Sequence, residues 1–361
     1  MSFQRDPLAG KIPVSLITGF LGSGKTTLIS RLIRHPEMNR VAVVINEVGE
    51  IGIDHDLVSQ SSENISLLAN GCICCSVRTD LQETLRDLFA RRQVGEVFDF
   101  DRVIIETTGL ADPAPVIQTL ISDTLIGAQF RLDGLVALDD AVNGLSTLDT
   151  MPEAVKQVAV ADRLFISKTD LTTPQALAAL QQRLSDINPQ ATQGTVVQGD
   201  LPPSALIGLG LASARAGDHT LRFLGESIED TASAATTSGR YLGERTARHD
   251  PAIRTLSLRF RQPFAWSAFS SALDLLTQMR GTDLLRVKGI VNVEGKPVVV
   301  QGVQHLFHPP IELDRWPSDD RDSRLVVITR HIEADVIRRL FDVVGQLGQG
   351  SPESVTPSPP T

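Results

Sequence analysis

The sequence predicts an α/β fold: a mostly parallel sheet with helices on both faces, followed by a smaller α/β (α+β) unit. Three observations support this prediction. Short runs rich in β-branched residues alternate with amphipathic segments through the N-terminal part of the chain, which is typical of parallel β-α-β units. Several of these runs are continuously apolar, as expected for strands buried on both faces. A second set of strand and helix patterns follows a stretch that is poor in large apolar residues.

These patterns give the predicted elements and their boundaries. In the N-terminal unit the strands are residues 13–18, 41–46, 65–68, 102–106, 132–138, 163–167 and 194–197, and the helices are residues 25–34, 79–92, 114–122 and 174–187. In the smaller unit the strands are residues 253–260, 285–293, 296–303 and 325–329, and the helices are residues 266–279 and 333–344. We therefore place one domain at residues 1–211, a linker at 212–250 and a second domain at 251–346. Residues 347–361, rich in Pro, Ser and Thr, are predicted to be a disordered tail.

The composition restricts the class of protein. The 361 residues carry a net charge of −9, which argues against a nucleic-acid-binding protein because such proteins usually present a basic face. No apolar run reaches the length of about 18 residues that a membrane span needs, and the polar N-terminus lacks the apolar core of a signal peptide. All three cysteines lie within residues 72–75, too close together to cross-link a secreted scaffold. These features predict a cytoplasmic protein that binds neither nucleic acid nor membrane.

The strongest motif is a glycine-rich turn between the first predicted strand and the first predicted helix. Residues 19–26, GFLGSGKT, match the phosphate-loop pattern G-x-x-x-x-G-K-[ST] in the context that the pattern requires. Glycines let backbone N–H groups approach phosphates; Lys25 is predicted to contact the β- and γ-phosphates, and Thr26 to bind Mg²⁺. A plain structural turn is the alternative, and it leaves the complete match unexplained. The predicted nucleotide-binding residues here are Gly19, Gly22, Ser23, Gly24, Lys25, Thr26 and Thr27.

A carboxylate at the end of another apolar strand supports this site. Glu106 follows residues 103–105, Val-Ile-Ile, and is predicted to hold Mg²⁺ directly or through water. Lys25, Thr26 and Glu106 are the predicted catalytic residues, and the N–H of Gly109 is predicted to contact the γ-phosphate. Asp112 and Pro113 are predicted to be the N-cap and first residue of the next helix. Taken alone, Glu106 would be a structural acid; beside a phosphate loop, the metal role is favoured.

The base preference is predicted by Ser167-Lys168-Thr169-Asp170, which follows an apolar strand and resembles the guanine motif N-K-x-D with serine in place of asparagine. Asp170 can accept hydrogen bonds from guanine N1–H and the 2-amino group, neither of which adenine offers. A site with such a polar group left unpaired rejects the wrong substrate strongly. Lys168 is predicted to lay its stem over the base. These residues favour GTP over ATP.

The three cysteines, Cys72, Cys74 and Cys75, are predicted to bind Zn²⁺ or another transition metal, because thiolates are soft ligands. Whether the adjacent Cys74 and Cys75 both reach one ion stays open, since adjacent side chains diverge in extended backbone. A buried reduced cluster or a redox pair is the alternative. Residues 46–56 offer four carboxylates, a histidine and glycines. That composition suits a nucleotide-responsive switch, although a solvated surface turn is the alternative.

Five segments, in order along the chain, resemble the CobW family of metal-handling GTPases, relatives of the hydrogenase and urease nickel-insertion GTPases. They are GFLGSGKTT at 19–27, NEVGEIGID at 46–54, GCICC at 71–75, ETTGLADP at 106–113 and SKTD at 167–170. LRVKG at 285–289 and GVQH at 302–305 resemble the C-terminal domain of that family. The resemblance implies a slow GTPase that uses GTP, Mg²⁺ and Zn²⁺ or another transition metal, and that couples nucleotide state to metal transfer into a client metalloprotein. It also implies that Glu50 is a further metal ligand.

The sequence departs from the family pattern in one respect. Many members carry a histidine-rich stretch between the domains, whereas only His219 and His249 lie in the linker here, so a metal-storage role is not expected. The residue that positions the attacking water is not identified. The leading hypothesis is a GTP-hydrolysing metallochaperone, with which a nucleotide-dependent homo-oligomer is compatible. The alternatives are an ATP-dependent P-loop kinase or cofactor-assembly enzyme, and a non-catalytic nucleotide-bound redox or interaction protein.

Overall fold

A nine-stranded sheet forms the centre of the N-terminal unit. The computed structural model describes residues 10–46, 58–59, 65–68, 73–76, 81–209, 244–246, 253–281 and 283–347. The strands are β1 Ile12–Gly19, β2 Val41–Asn46, β3 Val58–Ser59, β4 Ile65–Leu68, β5 Ile73–Ser76, β6 Arg102–Thr107, β7 Phe130–Asp140, β8 Arg163–Ser167 and β9 Thr192–Val196. Their spatial order is β3-β4-β5-β2-β6-β1-β7-β8-β9. All neighbours from β5 to β9 are parallel, and β4 and β3 extend one edge in antiparallel fashion.

Helices cover both faces of this sheet because its strands are apolar at successive positions. On β2, Val43 and Ile45 pack with the first helix, whereas Ala42 and Val44 pack on the opposite face with the other helices. Alternation along one strand thus separates two cores. The helices are α1 Lys25–Leu32, α2 Leu81–Val94, α3 Ala114–Ser122, α4 Thr124–Gln129, α5 Gly144–Thr150, α6 Pro152–Val160 and α7 Pro174–Ile187.

The C-terminal unit is a largely antiparallel sheet with two helices on one face. Its strands are β10 Glu244–Thr246, β11 Ile253–Phe260, β12 Leu284–Val293, β13 Lys296–Val303, β14 Leu306–Phe307, β15 Ile311–Glu312 and β16 Ser323–Arg330. They lie in the order β10-β11-β16-β12-β13-β14, and β15 also pairs with β13. Helices α8 (Trp266–Arg280) and α9 (Ala334–Leu347) pack against this sheet through Phe269 and Phe341.

The other face of the second sheet packs directly against the helices of the first unit. One hydrophobic cluster contains residues of α3, α6 and α7 together with five from the second sheet: Ile253, Leu285, Val303, Leu306 and Ile328. The hydroxyl of Thr255, on β11, also donates to the carbonyl of Ile187 at the end of α7, at 3.1 Å. The layers of the molecule therefore follow one another in this order: helix α1, the first sheet, helices α2–α7, the second sheet, and helices α8 and α9.

The fold class and most strands agree with the sequence prediction, while several short elements differ. The sequence did not predict α4, α5 or α6, nor the strand β5 that holds residues 73–76. Helix α1 ends at Leu32 instead of residue 34, and α3 begins at Ala114 with Pro113 as its N-cap, so the prediction of Asp112 as N-cap is one residue early. Most of the predicted linker and tail lies outside the described residues. No helix in the described ranges is long and apolar enough to cross a membrane.

Candidate nucleotide and metal site

The phosphate loop joins the end of β1 to the start of α1, at the carboxyl edge of the sheet. Gly19, Gly22 and Gly24 have φ angles of 141°, 76° and 94°, which favour glycine. A Cβ on Gly19 would lie 2.4 Å from the carbonyl oxygen of Leu138 on the neighbouring strand. Gly22 has open space around it, so its requirement is conformational, whereas Gly19 is also needed for close packing. The loop therefore presents backbone N–H groups at a helix N-terminus, where anions bind.

The lysine of the loop is buried beneath it. Lys25 is 6% exposed, and its Nζ donates to the carbonyl oxygens of Gly19 at 2.8 Å and Phe20 at 3.1 Å. The loop thus wraps the ammonium group with its own carbonyls. Phosphate oxygens are stronger acceptors for a charged donor, so this arrangement fits a loop that can exchange those contacts for a bound phosphate. Thr27 is exposed beside it on the first turn of α1.

A hydroxyl and a carboxylate meet at the place predicted for Mg²⁺. The Oγ1 of Thr26 donates to Oε1 of Glu106 at 2.9 Å. Glu106 is almost fully buried, and β6 lies directly beside β1, with Glu106 level with Ile17. The hydroxyls of Thr107 and Thr18 are joined at 2.8 Å, which fixes the ends of the same two strands. Hard oxygen ligands of this kind fit Mg²⁺.

The segment after β6 packs against the phosphate loop. A Cβ on Gly109 would lie 2.6 Å from the backbone nitrogen of Leu21, so only glycine allows this approach. The buried side chain of Gln157, on α6, holds the segment: its Nε2 donates to the carbonyls of Gly109 at 3.1 Å and Ala111 at 3.0 Å. Gln157 was not predicted from the sequence, because no motif marks a lone glutamine within an unpredicted helix.

The predicted guanine motif lies at the end of β8, two strands from β1. Lys168 has a φ of 55°, and its Nζ pairs with Oδ2 of Asp140 at 2.6 Å. Ser167 lies behind the phosphate loop, 3.7 Å from the position of a Cβ on Gly24. Asp170 is exposed in the short 3₁₀ turn that follows. The predicted guanine motif therefore begins, at Ser167, beside the phosphate loop.

Two adjacent acids at the end of β7 were not singled out from the sequence. Burial raises the pKa of Asp140, but hydrogen bonds and attraction from Lys168 outweigh this effect, and its pKa is lowered. Asp139 differs because burial raises its pKa to about 7. Its Oδ1 accepts from the backbone nitrogen of Asp140 at 2.8 Å, and its Oδ2 has no hydrogen-bond partner in the described part of the chain. The carboxylate of Asp140 is thus held charged beside Lys168, while Asp139 is largely protonated below pH 7.

Two buried hydroxyls also lie beside the phosphate loop. The Oγ atoms of Ser23 and Ser167 have no hydrogen-bond partner within the described ranges. The hydroxyl of Ser23 would be 2.7 Å from a Cβ on Gly19, so it lies inside the loop. A buried polar atom without a partner costs stability. These hydroxyls are consistent with a site built for a polar ligand.

The cysteine strand lies in the same sheet, on the other side of β2 from β6. Cys74 and Cys75 hold consecutive positions of β5 and pair with Val43 and Val44 of β2. Val44 in turn pairs with Ile105, the residue before Glu106. Strands lie about 4.8 Å apart, so the cysteine strand is roughly 10 Å from the strand that carries Glu106. Cys72 and Glu50 lie outside the described residues, and no group of three or more potential metal ligands occurs within the ranges described.

The matches to known proteins agree with this architecture. Residues 13–194 match the family described as CobW/HypB/UreG, nucleotide-binding domain. Residues 253–344 match the cobalamin synthesis protein CobW C-terminal domain. The chain belongs to the CobW family. The resemblance stated from the sequence motifs is therefore confirmed over both units.

Similar CobW-family proteins include two zinc chaperones. The zinc chaperone YjiA of Escherichia coli is 34% identical over 333 residues, covering 91% of this chain and 98% of YjiA. The zinc chaperone CobW of Pseudomonas aeruginosa is 30% identical over 91% of this chain and 90% of its own. The zinc-regulated GTPase metalloprotein activator 1 of Saccharomyces cerevisiae is 26% identical over 92% of this chain and 83% of its own.

Crystal structures of zinc-bound YjiA GTPase from E. coli have the same fold. One superposes with a TM-score of 0.70 at 30% identity, covering 92% of this chain and 99% of YjiA. A second is a variant of YjiA in which one glutamate and two cysteines are replaced by alanine, and it still contains zinc; its TM-score is 0.73 at the same coverage. The fold of this CobW-family chain is thereby confirmed, while the roles of its individual site residues stay predictions.

Proposed function

We propose that this CobW-family chain is a GTP-hydrolysing metallochaperone that binds zinc through its cysteine motif and couples GTP hydrolysis to delivery of the metal to a client metalloprotein. One observation supports the coupling: the cysteine strand β5 and the carboxylate strand β6 are separated only by β2, and these three strands run parallel to one another. A displacement at the end of β6 therefore reaches the cysteines through a single strand. The names of the similar chaperones support zinc as the cargo.

The phosphate loop and the end of β6 would hold GTP and Mg²⁺, which together supply the phosphoanhydride bond that is hydrolysed. Lys25 would exchange its two carbonyl acceptors for phosphate oxygens. Thr26 and Glu106, already in contact at 2.9 Å, would hold Mg²⁺. The N–H of Gly109 would face the γ-phosphate. Each of these residues acts by positioning and by charge, which is how proteins catalyse phosphoryl transfer.

The base would be selected at the end of β8. Asp170 would accept from the two donors on the guanine edge, and adenine would leave this carboxylate unpaired. Lys168 would cover the base, with Asp140 orienting its ammonium group through the contact at 2.6 Å. The sequence did not predict this restraint by Asp140.

The metal would bind at Cys72, Cys74 and Cys75, with Glu50 as a further ligand. We propose that the thiolates of these cysteines supply the ligands, because thiolates are soft donors that suit zinc. Since zinc is present in a YjiA variant that lacks a glutamate and two cysteines, metal content alone does not identify the site. The zinc stoichiometry and its dependence on the bound nucleotide are the properties that identify the site.

The test compares two variants of the full chain with the wild type. In the triple variant Cys72→Ser, Cys74→Ser, Cys75→Ser, we expect the zinc stoichiometry to fall by one ion while GTP binding is retained. In Lys25→Ala, we expect loss of GTP binding with zinc binding retained, and Lys296→Ala, an exposed lysine on β13, serves as its matched control. Zinc titration and GTP hydrolysis at saturating Mg²⁺ are the measurements.

Two results would contradict the proposal. Equal zinc affinity in the nucleotide-free, GTP-bound and GDP-bound chain would remove the coupling. ATP turnover above GTP turnover would favour a kinase or cofactor-assembly enzyme instead. We further propose that the protein acts in the cytoplasm. Size-exclusion chromatography with GTP and with GDP would test a nucleotide-dependent homo-oligomer.

A further inference from the structure

The segment that carries Gly109 is held from the C-terminal sheet. Asp112 lies three residues after Gly109, and its Oδ2 accepts from the Nε2 of Gln304 at 3.0 Å. The same carboxylate contacts the Nζ of Lys156 on α6 at 3.4 Å, and its Oδ1 accepts from the backbone nitrogen of Ala114 at 3.0 Å. Asp112 therefore ties the segment to α3, to α6 and to the second sheet at once.

Gln304 is presented by a strained turn. It lies between β13 and β14 with a φ of 53°, a backbone conformation that non-glycine residues adopt rarely. Its backbone nitrogen donates to the carbonyl of Leu285 at 3.3 Å, and Leu306 after the turn is buried in the hydrophobic cluster shared by the two units. Backbone strain persists only where the surroundings fix it. The turn therefore sets the position of the Gln304 amide relative to the first unit.

A second connection reaches the same segment through α6. Gln157 donates from this helix to the carbonyls of Gly109 and Ala111. At the C-terminal end of the same helix, the guanidinium of Arg286 donates to the carbonyl of Val160. Arg286 belongs to β12 of the second sheet and is 2% exposed. The second sheet thus contacts helix α6, and α6 in turn contacts the segment that carries Gly109.

We propose that Gln304 is a positioning residue for the Gly109 segment, so that the C-terminal sheet stabilises the arrangement in which Gly109 lies against the phosphate loop. The inference rests on the proposed binding of GTP at that loop. GDP lacks the phosphate that Gly109 would face, so losing the contact weakens GTP binding more than GDP binding. Coupling between sites is reciprocal. If a partner that displaces Gln304 changes the ratio of GTP to GDP affinity by some factor, then exchanging GDP for GTP changes the affinity for that partner by the same factor.

The test reverses the polarity of one hydrogen bond in the full-length protein. Gln304→Glu places a carboxylate against that of Asp112, and we expect the ratio of GTP to GDP affinity to fall about tenfold, the size expected for one hydrogen bond to a charged acceptor. Asp112→Asn alone should change the ratio by less than about threefold, because the amide of Gln304 can turn and accept instead. The double variant should restore the ratio, since the amide introduced at position 112 would donate to the carboxylate introduced at position 304, while the amide oxygen still accepts from Ala114.

Two further variants control for charge and for the lysine nearby. Gln304→Leu removes the donor without adding charge, so it should lower the ratio even if Lys156 compensates the glutamate. Gln278→Glu adds the same charge at an exposed position of α8 and should leave the ratio unchanged. Fluorescent GTP and GDP titrations give the ratio, and single-turnover hydrolysis gives the rate of the chemical step separately.

The outcomes separate this inference from the proposed function. If the wild-type chain binds both nucleotides and Gln304→Glu and Gln304→Leu keep its ratio within about twofold while remaining folded, the role of Gln304 is wrong and the proposed function stands. If the wild type binds neither nucleotide, both fail. A double variant that is no better than Gln304→Glu alone would also overturn the inference, because the loss would then come from damage to the turn.

Discussion

Replacing Asp162 with asparagine tests how strongly the two sheets are joined. Asp162 precedes β8 and is buried, with its Oδ1 accepting from Arg286 and, at 3.2 Å, from Lys288 of β12. Its Oδ2 accepts from the backbone nitrogen of Leu135 at 2.9 Å. Burial raises the pKa of Asp162, but attraction from Arg286 and then from Lys288 outweighs it, and the pKa is lowered. The carboxylate is therefore charged at neutral pH and neutralises two buried cations.

The expected loss of folding stability in Asp162→Asn follows from those two buried cations. Breaking a buried ion pair by removing one partner costs about 3–5 kcal/mol, because the remaining charge is uncompensated. Removing the carboxylate takes away the charge partner of the buried guanidinium of Arg286. Burial already lowers the pKa of Lys288 to about 8, so Lys288 can respond by losing its proton, and we expect Asp162→Asn to cost about 3 kcal/mol. For a shared transition of roughly 330 residues, an unfolding entropy of about 2.1 cal/mol/K per residue gives a shift of roughly 1.4 °C per kcal/mol. The melting temperature should therefore fall by roughly 4 °C.

The assay can follow the two units separately. Both tryptophans, Trp266 and Trp316, lie in the C-terminal unit, so their fluorescence reports that unit during urea unfolding. Bound fluorescent GDP reports the N-terminal unit. In the wild type we expect one shared transition, because the units share a hydrophobic core. In Asp162→Asn the tryptophan transition should move to lower urea.

Two controls and the pH dependence sharpen the test. Asp99→Asn removes an exposed carboxylate that pairs with Arg40 at 2.9 Å and with Arg92, and it should cost less than about 1 kcal/mol. Lys288→Met keeps the pair of Asp162 with Arg286, so its effect should be smaller than that of Asp162→Asn. The lowered pKa means that the stabilisation by Asp162 is present above the ordinary aspartate pKa and is lost as the pH falls below it. Equal stability of Asp162→Asn and Asp99→Asn at pH 7 would refute the reasoning.

Two further substitutions test the site itself. Gly109→Ala places a Cβ 2.6 Å from the nitrogen of Leu21, so GTP affinity measured by calorimetry should fall about tenfold or more. Gly127→Ala, inside helix α4, is the control and should leave GTP affinity unchanged. Equal GTP affinity of Gly109→Ala and the wild type would show that the segment moves freely. Asp139→Asn should stabilise the protein above pH 7 by up to about 4 kcal/mol, because burial raises the pKa of Asp139 to about 7. That advantage should grow between about pH 4 and 7 and vanish below pH 4 in melting-temperature measurements; a gain that does not vary with pH would contradict the role of ionisation.

The phosphate site could be predicted because its chemistry is local in the chain. One contiguous turn contains Lys25 and Thr26, and the apolar strand before Glu106 indicates where that carboxylate lies. The pair Asp140–Lys168 could not be predicted, because parallel pairing of β7 with β8 joins residues 28 positions apart. Gln304 is more remote still, 192 positions from Asp112, and only the packing of two sheets brings them together.

The cysteine strand shows a different limit of sequence reasoning. Residues 73–76 were not predicted as a strand, because the cysteines within them were interpreted as metal ligands and not as part of an apolar run. Their extended conformation comes from pairing on both sides, parallel to β2 and antiparallel to β4. Tertiary pairing determines the conformation of such short segments more than intrinsic preference does.

The hydrophobic cluster shared by the two units limits how CobW-family proteins can be recombined. Val303 and Leu306 of the second sheet are packed among side chains that belong to the helices of the first. A chimaera that joins the N-terminal half of one homologue to the C-terminal half of another must therefore match side-chain shapes in this cluster. A bulkier side chain there would push the halves apart, and a smaller one would leave a void. For this reason, we expect a mutation on one side of this contact to be compensated by a mutation on the other, so that the nucleotide-binding unit and the second sheet coevolve.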